Sequence, residues 1–255
     1  MLLALDVGNT NITIGAFTGK QLTGHWRLRT IREQTADEWG ILLRNIFSLA
    51  GLDLNAVDGV IICSVVPVVN NMLAEMVVKY FDRDAMFVTA DTDLGIRVLY
   101  DNPREVGADR VVNGVAAWNK YGGPAVVVDL GTAITFDVIS AKGEYLGGLI
   151  CAGIGMAISG LFSKTALLPM VNFTAPDKLV GTNTMGSIQS GLYHGTLGMI
   201  DGILEKLIEQ LGPETKTIAT GGNAVLIREG SRCIHHVDED LTLEGLRLIW
   251  ERNAK

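Results

Sequence analysis

The stretch Asp129-Leu130-Gly131-Thr132-Ala133 decides the fold. It follows the apolar run Ala125–Val128, which is mostly β-branched and typical of a buried strand. A second strand-like run, Ile134–Ile139, begins directly after it. The acid therefore stands where one strand ends, and Gly131 lets the backbone turn and lets a ligand approach closely. Strand, acid, small-residue turn and strand together predict a phosphate-binding hairpin.

The N-terminus repeats this pattern. Leu2–Leu5 is an apolar strand, Asp6-Val7-Gly8-Asn9-Thr10 is the turn, and Asn11–Phe17 is the returning strand. One copy would be weak evidence, because Asp-x-Gly is common in hairpin turns. Two copies in the same context, each opening one half of the chain, favour two phosphate-binding turns. Two ordinary tight turns with solvated acids remain the alternative.

Length and charge limit the possible functions. The 255 residues suffice for one large domain or two moderate ones. The net charge of −7, with no cluster of Lys and Arg, argues against a nucleic-acid partner, which would require a basic face. An acidic protein that handles a phosphate-rich ligand needs backbone N–H groups, a few basic residues and a metal ion.

The three cysteines, Cys63, Cys151 and Cys233, are odd in number, far apart and without metal-site spacing. This usage fits a reducing compartment. The first apolar run has no basic region before it, so no signal peptide is expected, and no apolar stretch reaches the length of a membrane span. We therefore expect a cytoplasmic protein without a membrane partner.

Two helices and one long polar stretch organise the rest of the first half. Thr35-Ala36-Asp37-Glu38 is a capping box that opens a helix, and Gly51 closes it. The polar stretch Asp91–Arg110 runs into a predicted helix, Val111–Tyr121. Loops of that length are usually functional or disordered.

Glycines mark two features of the second half. The predicted helix Thr184–Leu211 carries Gly191, Gly195, Gly198 and Gly202 on roughly one face, at a cost of about 0.5–1 kcal/mol each relative to alanine. Close packing within the chain is the ordinary explanation, and approach by another helix is the alternative. The turn Gly221-Gly222 has room for a flat ring such as adenine, but an ordinary strand-to-helix turn is equally compatible.

Phosphoryl transfer to an alcohol needs a metal, a phosphate cradle and a carboxylate that accepts the hydroxyl proton. Asp109 is the candidate base, because it lies in the long polar stretch at a helix start. Its alternative role is that of a simple helix cap. The sequence contains no G-x-x-x-x-G-K-[ST] and no G-x-S-x-G motif, and its four histidines lack metal-site spacing.

These residues resemble a known family. The two Asp-led turns look like the phosphate motifs of the acetate and sugar kinase, Hsp70 and actin superfamily. Over essentially its full length the chain resembles the type III pantothenate kinases, most specifically in the pantothenate-binding segment Tyr100–Arg110. Thr182-Asn183-Thr184 and Gly221-Gly222 also match the expected places, and no motif position departs from the family pattern.

The resemblance implies an α/β fold of two ribonuclease-H-like halves, as in actin-like ATPases. Each half has a mixed sheet flanked by helices, and the nucleotide cleft lies between the halves, residues 1–115 and 116–255. The implied reaction is ATP-dependent phosphorylation of pantothenate to 4′-phosphopantothenate, the first step of coenzyme A biosynthesis. The implied assembly is a homodimer.

The resemblance also assigns residues. Asp109 is the implied proton acceptor, Asp129 the implied ligand of a monovalent cation (K⁺ or NH₄⁺), and Mg²⁺ accompanies the ATP. The implied ATP-binding residues are Asp6, Val7, Gly8, Asn9, Thr10, Asn11, Ile12, Thr13 and Thr132. The implied pantothenate-binding residues are Tyr100, Gly107, Ala108, Asp109, Arg110 and Thr184.

A non-catalytic alternative stays open at this point. Related proteins have been described as accessory factors for transcription, and actin-like folds also serve as nucleotide switches, so the fold does not fix the function. A pure switch has no need of an acceptor-binding segment. The intact segment with Asp109 therefore favours the enzyme.

Overall fold

The computed structural model describes residues 1–254, which form two compact units. The first unit contains Met1–Ile96, Asp101–Ala116 and the residues from Thr242 onward, and the second contains Arg97–Tyr100 and Ala117–Leu241. These units differ from the expected halves 1–115 and 116–255, because the C-terminal helix lies in the first unit. Two glycines make room for it there: a Cβ on Gly15 would lie 3.0 Å from Leu243, and a Cβ on Gly59 would collide with the ring of Trp250.

The first unit contains a five-stranded mixed sheet. Its strands are β1 (Leu2–Val7), β2 (Asn11–Thr18), β3 (Gln21–Arg29), β4 (Gly59–Ser64) and β5 (Ala85–Phe87). The spatial order is β3-β2-β1-β4-β5. β2 is antiparallel to both β1 and β3, whereas β1, β4 and β5 run parallel. The predicted N-terminal hairpin is therefore formed by β1 and β2.

The second unit contains a six-stranded mixed sheet. Its strands are β6 (Arg97–Val98), β7 (Ala125–Leu130), β8 (Ala133–Ile139), β9 (Glu144–Ala152), β10 (Lys216–Thr220) and β11 (His236–Val237). The spatial order is β11-β10-β7-β8-β9-β6. β8 is antiparallel to β7 and β9, and β7, β10 and β11 run parallel. The predicted central hairpin is formed by β7 and β8.

The two sheets repeat one arrangement. Taken from the other edge, β9-β8-β7-β10-β11 has the same order and the same strand directions as β3-β2-β1-β4-β5. The repeat first recognised in two short turns thus extends to whole sheets. The turns differ by one residue, since four residues separate the paired Val7 and Ile12 whereas three separate Leu130 and Ile134. The predicted α/β class with two mixed sheets flanked by helices is confirmed.

Seven helices join the strands in the described part of the chain. They are α1 (Ala36–Leu49), α2 (Pro67–Phe81), α3 (Ala108–Tyr121), α4 (Ile154–Lys164), α5 (Thr184–Leu211), α6 (Ala224–Gly230) and α7 (Leu241–Asn253). The capping box of α1 is present: Thr35 N–H donates to Glu38 Oε2 (2.7 Å), and Glu38 N–H donates to Thr35 Oγ1 (3.3 Å). Within residues 1–254, no helix combines the length and apolar character needed to cross a bilayer.

The alternation of side chains along β1 and β7 sets the faces from which Asp6 and Asp129 project. Leu3, Leu5 and Val7 of β1 belong to the core formed with α1 and α2. Since successive side chains of a strand point to opposite faces, Asp6 projects from the other face. The same alternation holds in the second unit, where Val126, Val128 and Leu130 of β7 share a core with α5. Asp129 therefore also projects away from its core.

The polar stretch from Asp91 to Arg110 differs from its prediction as a loop. It contains β6 and a single 3₁₀ turn at Pro103–Glu105, and α3 begins at Ala108 rather than at Val111. Asp109 consequently lies in the first turn of a helix. The N–H groups of a first helical turn have no partner within the helix, so a carboxylate is stabilised there.

Candidate active site

Asp6 lies near the end of β1 in a row of side chains that crosses the sheet. Thr13 of β2 pairs directly with it on one side, and Cys63 of β4 pairs with it on the other. Residues that pair directly across neighbouring strands present their side chains on the same face. Thr13, Asp6 and Cys63 therefore form one row on the face opposite the α1–α2 core.

The turn after Asp6 is held from both sides. Gly8 N–H donates to the carbonyl of Asn11 (3.0 Å), which closes the turn. Thr30 Oγ1 donates to the carbonyl of Gly8 (2.7 Å), and Thr30 N–H donates to the carbonyl of Thr10 (3.0 Å). The residue that follows β3 thus fixes the predicted phosphate turn. Sequence reasoning missed Thr30, because only the tertiary fold brings it to the turn.

The buried thiol of Cys63 connects two of the predicted residues. Burial raises its pKa, and the negative charges of Asp6 and Asp109 raise that pKa further. Both carboxylates therefore act on the same thiol. The structure brings together the lead acid of the first turn and the candidate base, within one compact unit.

Asp109 is a half-buried carboxylate at the start of α3. Its Oδ1 accepts a hydrogen bond from Arg110 N–H (2.8 Å). Burial raises the pKa of Asp109, whereas that hydrogen bond and the charge of Arg110 lower it, and the net effect is a raised pKa. A Cβ on Gly107 would lie 2.6 Å from Asp109 Oδ1, so only glycine leaves room for this carboxylate position.

The segment before Asp109 is held by its own hydrogen bonds. Asn102 caps the 3₁₀ turn, since its Oδ1 accepts from Arg104 N–H (3.3 Å) and its Nδ2 donates to Glu105 Oε1 (2.8 Å). The side chains from Asp101 to Glu105 are exposed. The predicted substrate residues Gly107, Ala108 and Arg110 flank Asp109 in the sequence and surround the beginning of α3.

In the second unit, Asp129 lies near the end of β7. It pairs directly with Thr135 of β8 and with Thr220 of β10. Gly221 follows Thr220 with φ +89°, and a Cβ there would lie 2.8 Å from Asp129 Oδ1. The space at Gly221 is thus taken up by the Asp129 carboxylate and the backbone of Leu130. This packing gives Gly221 a structural reason within the chain itself.

The turn that carries Thr132 packs closely against the turn between β9 and α4. A Cβ on Gly153 would collide with the carbonyl of Thr132. Gly153 is also the residue that precedes the first turn of α4, where its carbonyl accepts from Ala157 N–H (3.0 Å). Glycine at position 153 therefore serves a close backbone contact between the two turns.

Thr184 and Tyr100 occupy separate surroundings in the second unit. Thr184 is the exposed first residue of α5, after Asn183, whose Oδ1 accepts from Gly186 N–H (2.8 Å). It lines an open groove of about 800 Å³ between α4 and α5. Tyr100 is not among the residues that line this groove; its ring lies against Gly147 of β9, where a Cβ would come within 3.3 Å of it.

The donors near both lead acids suit hard cations. Asp6 is followed by Asn9, Thr10 and Asn11, and Asp129 by Thr132, so oxygen donors dominate both turns. Within residues 1–254 no group of three or more His, Cys, Asp or Glu side chains forms a metal cage. Mg²⁺ is commonly bound by one or two carboxylates together with substrate phosphates, and one carboxylate in each turn fits that mode.

Fold and site together define a class of protein. Two repeated mixed sheets, each with an Asp-led hairpin turn, are the architecture of the actin-like ATPases and sugar kinases. Among solved structures, the activator of the 2-hydroxyisocaproyl-CoA dehydratase from Clostridium difficile with bound ADPNP is similar to this chain, with a TM-score of 0.56 at 11% identity. The match covers 96% of this chain and 91% of that one. At this identity the likeness supports the fold alone.

Sequence comparison then gives the family. Residues 2–206 match the type III pantothenate kinase family. A type III pantothenate kinase of Solibacter usitatus (strain Ellin6076) is 66% identical over 99% of this chain and 97% of its own length. That of Koribacter versatilis (strain Ellin345) is 52% identical over 99% of this chain and 96% of its own. The chain belongs to the type III pantothenate kinase family, so the non-catalytic alternative is not favoured.

Proposed function

We propose that this chain catalyses the ATP-dependent phosphorylation of pantothenate to 4′-phosphopantothenate, the first step of coenzyme A biosynthesis. The observation that carries the mechanism is the carboxylate of Asp109. It is half-buried, lies within the acceptor segment Tyr100–Arg110 and, together with Asp6, raises the pKa of the Cys63 thiol. Phosphoryl transfer to an alcohol requires a carboxylate of this kind near the phosphate-binding turn.

Asp109 is the residue that accepts the proton of the substrate hydroxyl. The Arg110 N–H holds Oδ1, and we assign Oδ2 as the accepting atom. Gly107 lets the carboxylate keep this orientation. The neighbouring residues Tyr100, Ala108 and Arg110, with Thr184, are proposed to bind the rest of pantothenate.

The nucleotide is proposed to bind to the turn from Asp6 to Thr13, with Thr132 as a further contact. When bound, ATP with Mg²⁺ supplies the phosphoryl group and a counter-charge for the phosphates. Asp6 is the residue we expect to hold Mg²⁺, because it directly precedes the turn at the end of β1 and a hard cation prefers oxygen ligands. Asp6→Asn should then raise the Mg²⁺ concentration needed for half-maximal rate, and an unchanged titration would contradict this role.

Asp129 is proposed to bind a monovalent cation, K⁺ or NH₄⁺. A carboxylate near a strand end, beside the carbonyls and hydroxyl of its turn, offers the oxygen ligands that such an ion takes. Activity should therefore depend on K⁺ or NH₄⁺ and fall in Na⁺ alone. Equal rates in the three salts, after thorough desalting, would contradict the assignment.

The assembly is proposed to be a homodimer formed through the second unit. Eleven of the eighteen exposed large apolar side chains lie between residues 146 and 185, which supports a covered surface there: Leu146, Leu149, Ile150, Met156, Leu161, Phe162, Leu167, Met170, Leu179, Val180 and Met185. Exposed apolar surface of this extent commonly marks a protein interface.

The glycine face of α5 supports the same assembly. A Cβ added to Gly191, Gly195, Gly198 or Gly202 would meet nothing within 4 Å. Close packing inside the chain therefore does not account for these glycines, and approach by another helix is the remaining explanation. We propose that Thr184 of one chain reaches the pantothenate held by the partner chain.

The proposed location is the cytoplasm. Cys63, Cys151 and Cys233 are all free thiols, which fits a reducing compartment. Pantothenate and the nucleotide are the proposed small-molecule ligands, and no nucleic-acid partner is proposed, in keeping with the net charge of −7.

A coupled kinase assay tests the proposed reaction. ADP release should depend on pantothenate, and Asp109→Asn should lower kcat by about 10²–10⁴-fold, the usual contribution of a positioned base. Binding of ATP should be nearly unchanged. Asp84→Asn removes the same charge from the exposed residue that precedes β5 in the first unit and serves as the control.

Two outcomes would contradict the proposal. Near-normal turnover of Asp109→Asn would remove Asp109 from the mechanism. Nucleotide binding by the unmodified chain, without any pantothenate-dependent ADP release, would indicate the non-catalytic role instead.

A further inference from the structure

The edge strand β3 presents two arginines on the face that carries Asp6. Trp26 and Leu28 pack against the α1–α2 core, and the Trp26 ring stacks on Phe47 with centroids 5.7 Å apart. Because side chains alternate along a strand, Arg27 and Arg29 project from the opposite face, and both are exposed. A one-residue slip would expose Trp26 and bury an arginine, so the core fixes this direction.

The register places Arg27 in the row of the phosphate turn. Arg27 pairs directly with Thr13, and Thr13 pairs directly with Asp6. Arg29 pairs with Asn11, the first residue of β2 after the turn. Two strand spacings, about 10 Å, separate the backbones of Arg27 and Asp6. An arginine side chain together with one phosphate group spans such an interval.

The positive charges of Arg27 and Arg29 suit a phosphate ligand. The protein carries a net charge of −7, and the turn that we assign to the nucleotide is led by a carboxylate. Neither Arg27 nor Arg29 takes part in the ion pairs found among residues 1–254. Guanidinium groups bind phosphate in bidentate fashion, and such charge-assisted hydrogen bonds are the strong ones.

We propose that Arg27 is a positioning residue that binds the polyphosphate of the nucleotide above the Asp6–Thr13 turn, with Arg29 as a second, weaker contact. The proposal rests on the assignment of this turn to ATP. It adds a source of positive charge from the protein itself. It also explains why a basic, exposed pair of residues stands beside a functional turn in an acidic protein.

Equilibrium binding of ATP, ADP and adenosine tests the proposal. Arg27→Gln should weaken ATP and ADP binding about tenfold to a hundredfold, because a hydrogen bond to a charged group is lost, and should leave adenosine binding unchanged. Arg27→Lys, which keeps the charge but not the bidentate geometry, should lie in between. Lys20→Gln removes one positive charge at the far end of the same hairpin, and its binding should stay within about twofold of the unmodified chain.

Kinetics and ionic strength provide two further readouts. In Arg27→Gln the KM for ATP should rise while the KM for pantothenate stays unchanged. ATP binding should also depend less steeply on salt in Arg27→Gln than in the unmodified chain, since screening acts on a charge pair that the variant lacks. A merely structural role would lower the melting temperature and weaken adenosine binding as well.

A variant of the turn separates this proposal from the site assignment. Gly8→Val places side-chain atoms against the Asn11 carbonyl, which lies 3.1 Å from the position of a Cβ. If Gly8→Val weakens ATP binding and Arg27→Gln does not, the role of Arg27 is refuted and the turn stands. If neither weakens it, the nucleotide site itself is wrongly assigned. Equal loss of ATP and adenosine binding in Arg27→Gln would also refute the role of Arg27. If Arg27→Gln does not fold, the ATP and adenosine binding of Arg27→Lys is the test, and unchanged ATP binding by that variant would refute the role.

Discussion

The Asp109 carboxylate is subject to two opposing effects. Burial raises its pKa, and the Arg110 N–H and guanidinium lower it, with burial the larger effect. An acid whose pKa is higher in the folded than in the unfolded state makes the folded protein bind more protons between those two values. Stability therefore falls as the pH rises through that window. The ionised form of Asp109, which the reaction needs, therefore lowers the stability of the folded protein.

The first prediction follows from this conflict. Asp109→Asn removes the ionised form, so at neutral pH its melting temperature should equal or exceed that of the unmodified chain, although kcat collapses. Thermal unfolding at neutral pH and at a pH near 4, where an unfolded aspartate is half protonated, measures the effect. The advantage of the variant should shrink at the lower pH. A variant that is less stable at both pH values would show that the carboxylate is a structural cap instead.

The second prediction concerns the pH dependence of the reaction. A general base works only when ionised, and kcat/KM reports the pKa of the free enzyme. Since burial raises the pKa of Asp109, the acidic limb of the kcat/KM profile should lie above the range of an ordinary aspartate. Initial rates measured from pH 4 to pH 9, with the same substrate concentrations at every pH, give the profile. A limb at the ordinary aspartate value would exclude Asp109 as the titrating base.

The third prediction concerns Gly107. A methyl group there would lie 2.6 Å from Asp109 Oδ1, so the carboxylate of Gly107→Ala must rotate away. A displacement of about 1 Å at a reacting group can cost about 10²-fold in rate, and we expect a loss of that order in kcat. The KM for ATP should not change. Full activity of a correctly folded Gly107→Ala would show that the carboxylate does not need this orientation.

Sequence reasoning located Asp109 through its position in a polar stretch before a helix. It placed the helix start three residues too late, because the acceptor segment has the composition of a loop. The contacts that hold the site are tertiary: the Thr30 hydrogen bonds to the first turn and the fit of Gly221 against Asp129. No local sequence pattern encodes these contacts. The sequence therefore indicated the acidic residues, but not the residues that hold them in place.

At the scale of elements, α1 offers a test of local signals. Its capping box satisfies N–H groups that the first helical turn leaves without partners. The fourth prediction is that Thr35→Ala lowers the free energy of unfolding by about 1 kcal/mol, the typical cost of a lost N-cap, without changing kcat or KM. Urea unfolding followed by circular dichroism measures it. Thr35→Ser keeps the hydroxyl and is the matched control, and equal stability of both variants would mean that the cap contributes nothing.

Elements with strong local signals were the ones predicted well. α5 begins and ends where apolar periodicity and flanking residues indicate, at Thr184–Leu211, and β8 ends at Ile139 as predicted. β6 was missed, because its two residues owe their pairing to distant Glu144 and Tyr145 in β9. The same limit applies to the α5 glycines, whose open surroundings only the folded chain reveals.

At the scale of the whole molecule, the second unit carries most of the exposed large apolar side chains of residues 1–254. The segment from Leu146 to Met185 and the glycine face of α5 share one requirement, since both gain stability only when another surface covers them. Two-fold dimers are the commonest assemblies of soluble proteins and present the same patch twice. A partner chain is the simplest cover for a surface that contains a predicted substrate residue, Thr184.

The last prediction is that two inactive chains restore activity in a mixed dimer. If Thr184 of one chain serves the site of Asp109 in the other, a dimer of Asp109→Asn and Thr184→Ala chains has one site with both lesions and one with neither. An equal mixture with free exchange should then recover about a quarter of the activity of the unmodified protein, because half of the dimers are mixed and each has one intact site. A mixture of Asp109→Asn and Asp6→Asn is the control, since both acids act on one Cys63 thiol within a chain, and every site then keeps a lesion. No recovery with Thr184→Ala, despite proven exchange and a measured defect in each parent, would show that every site is built within a single chain.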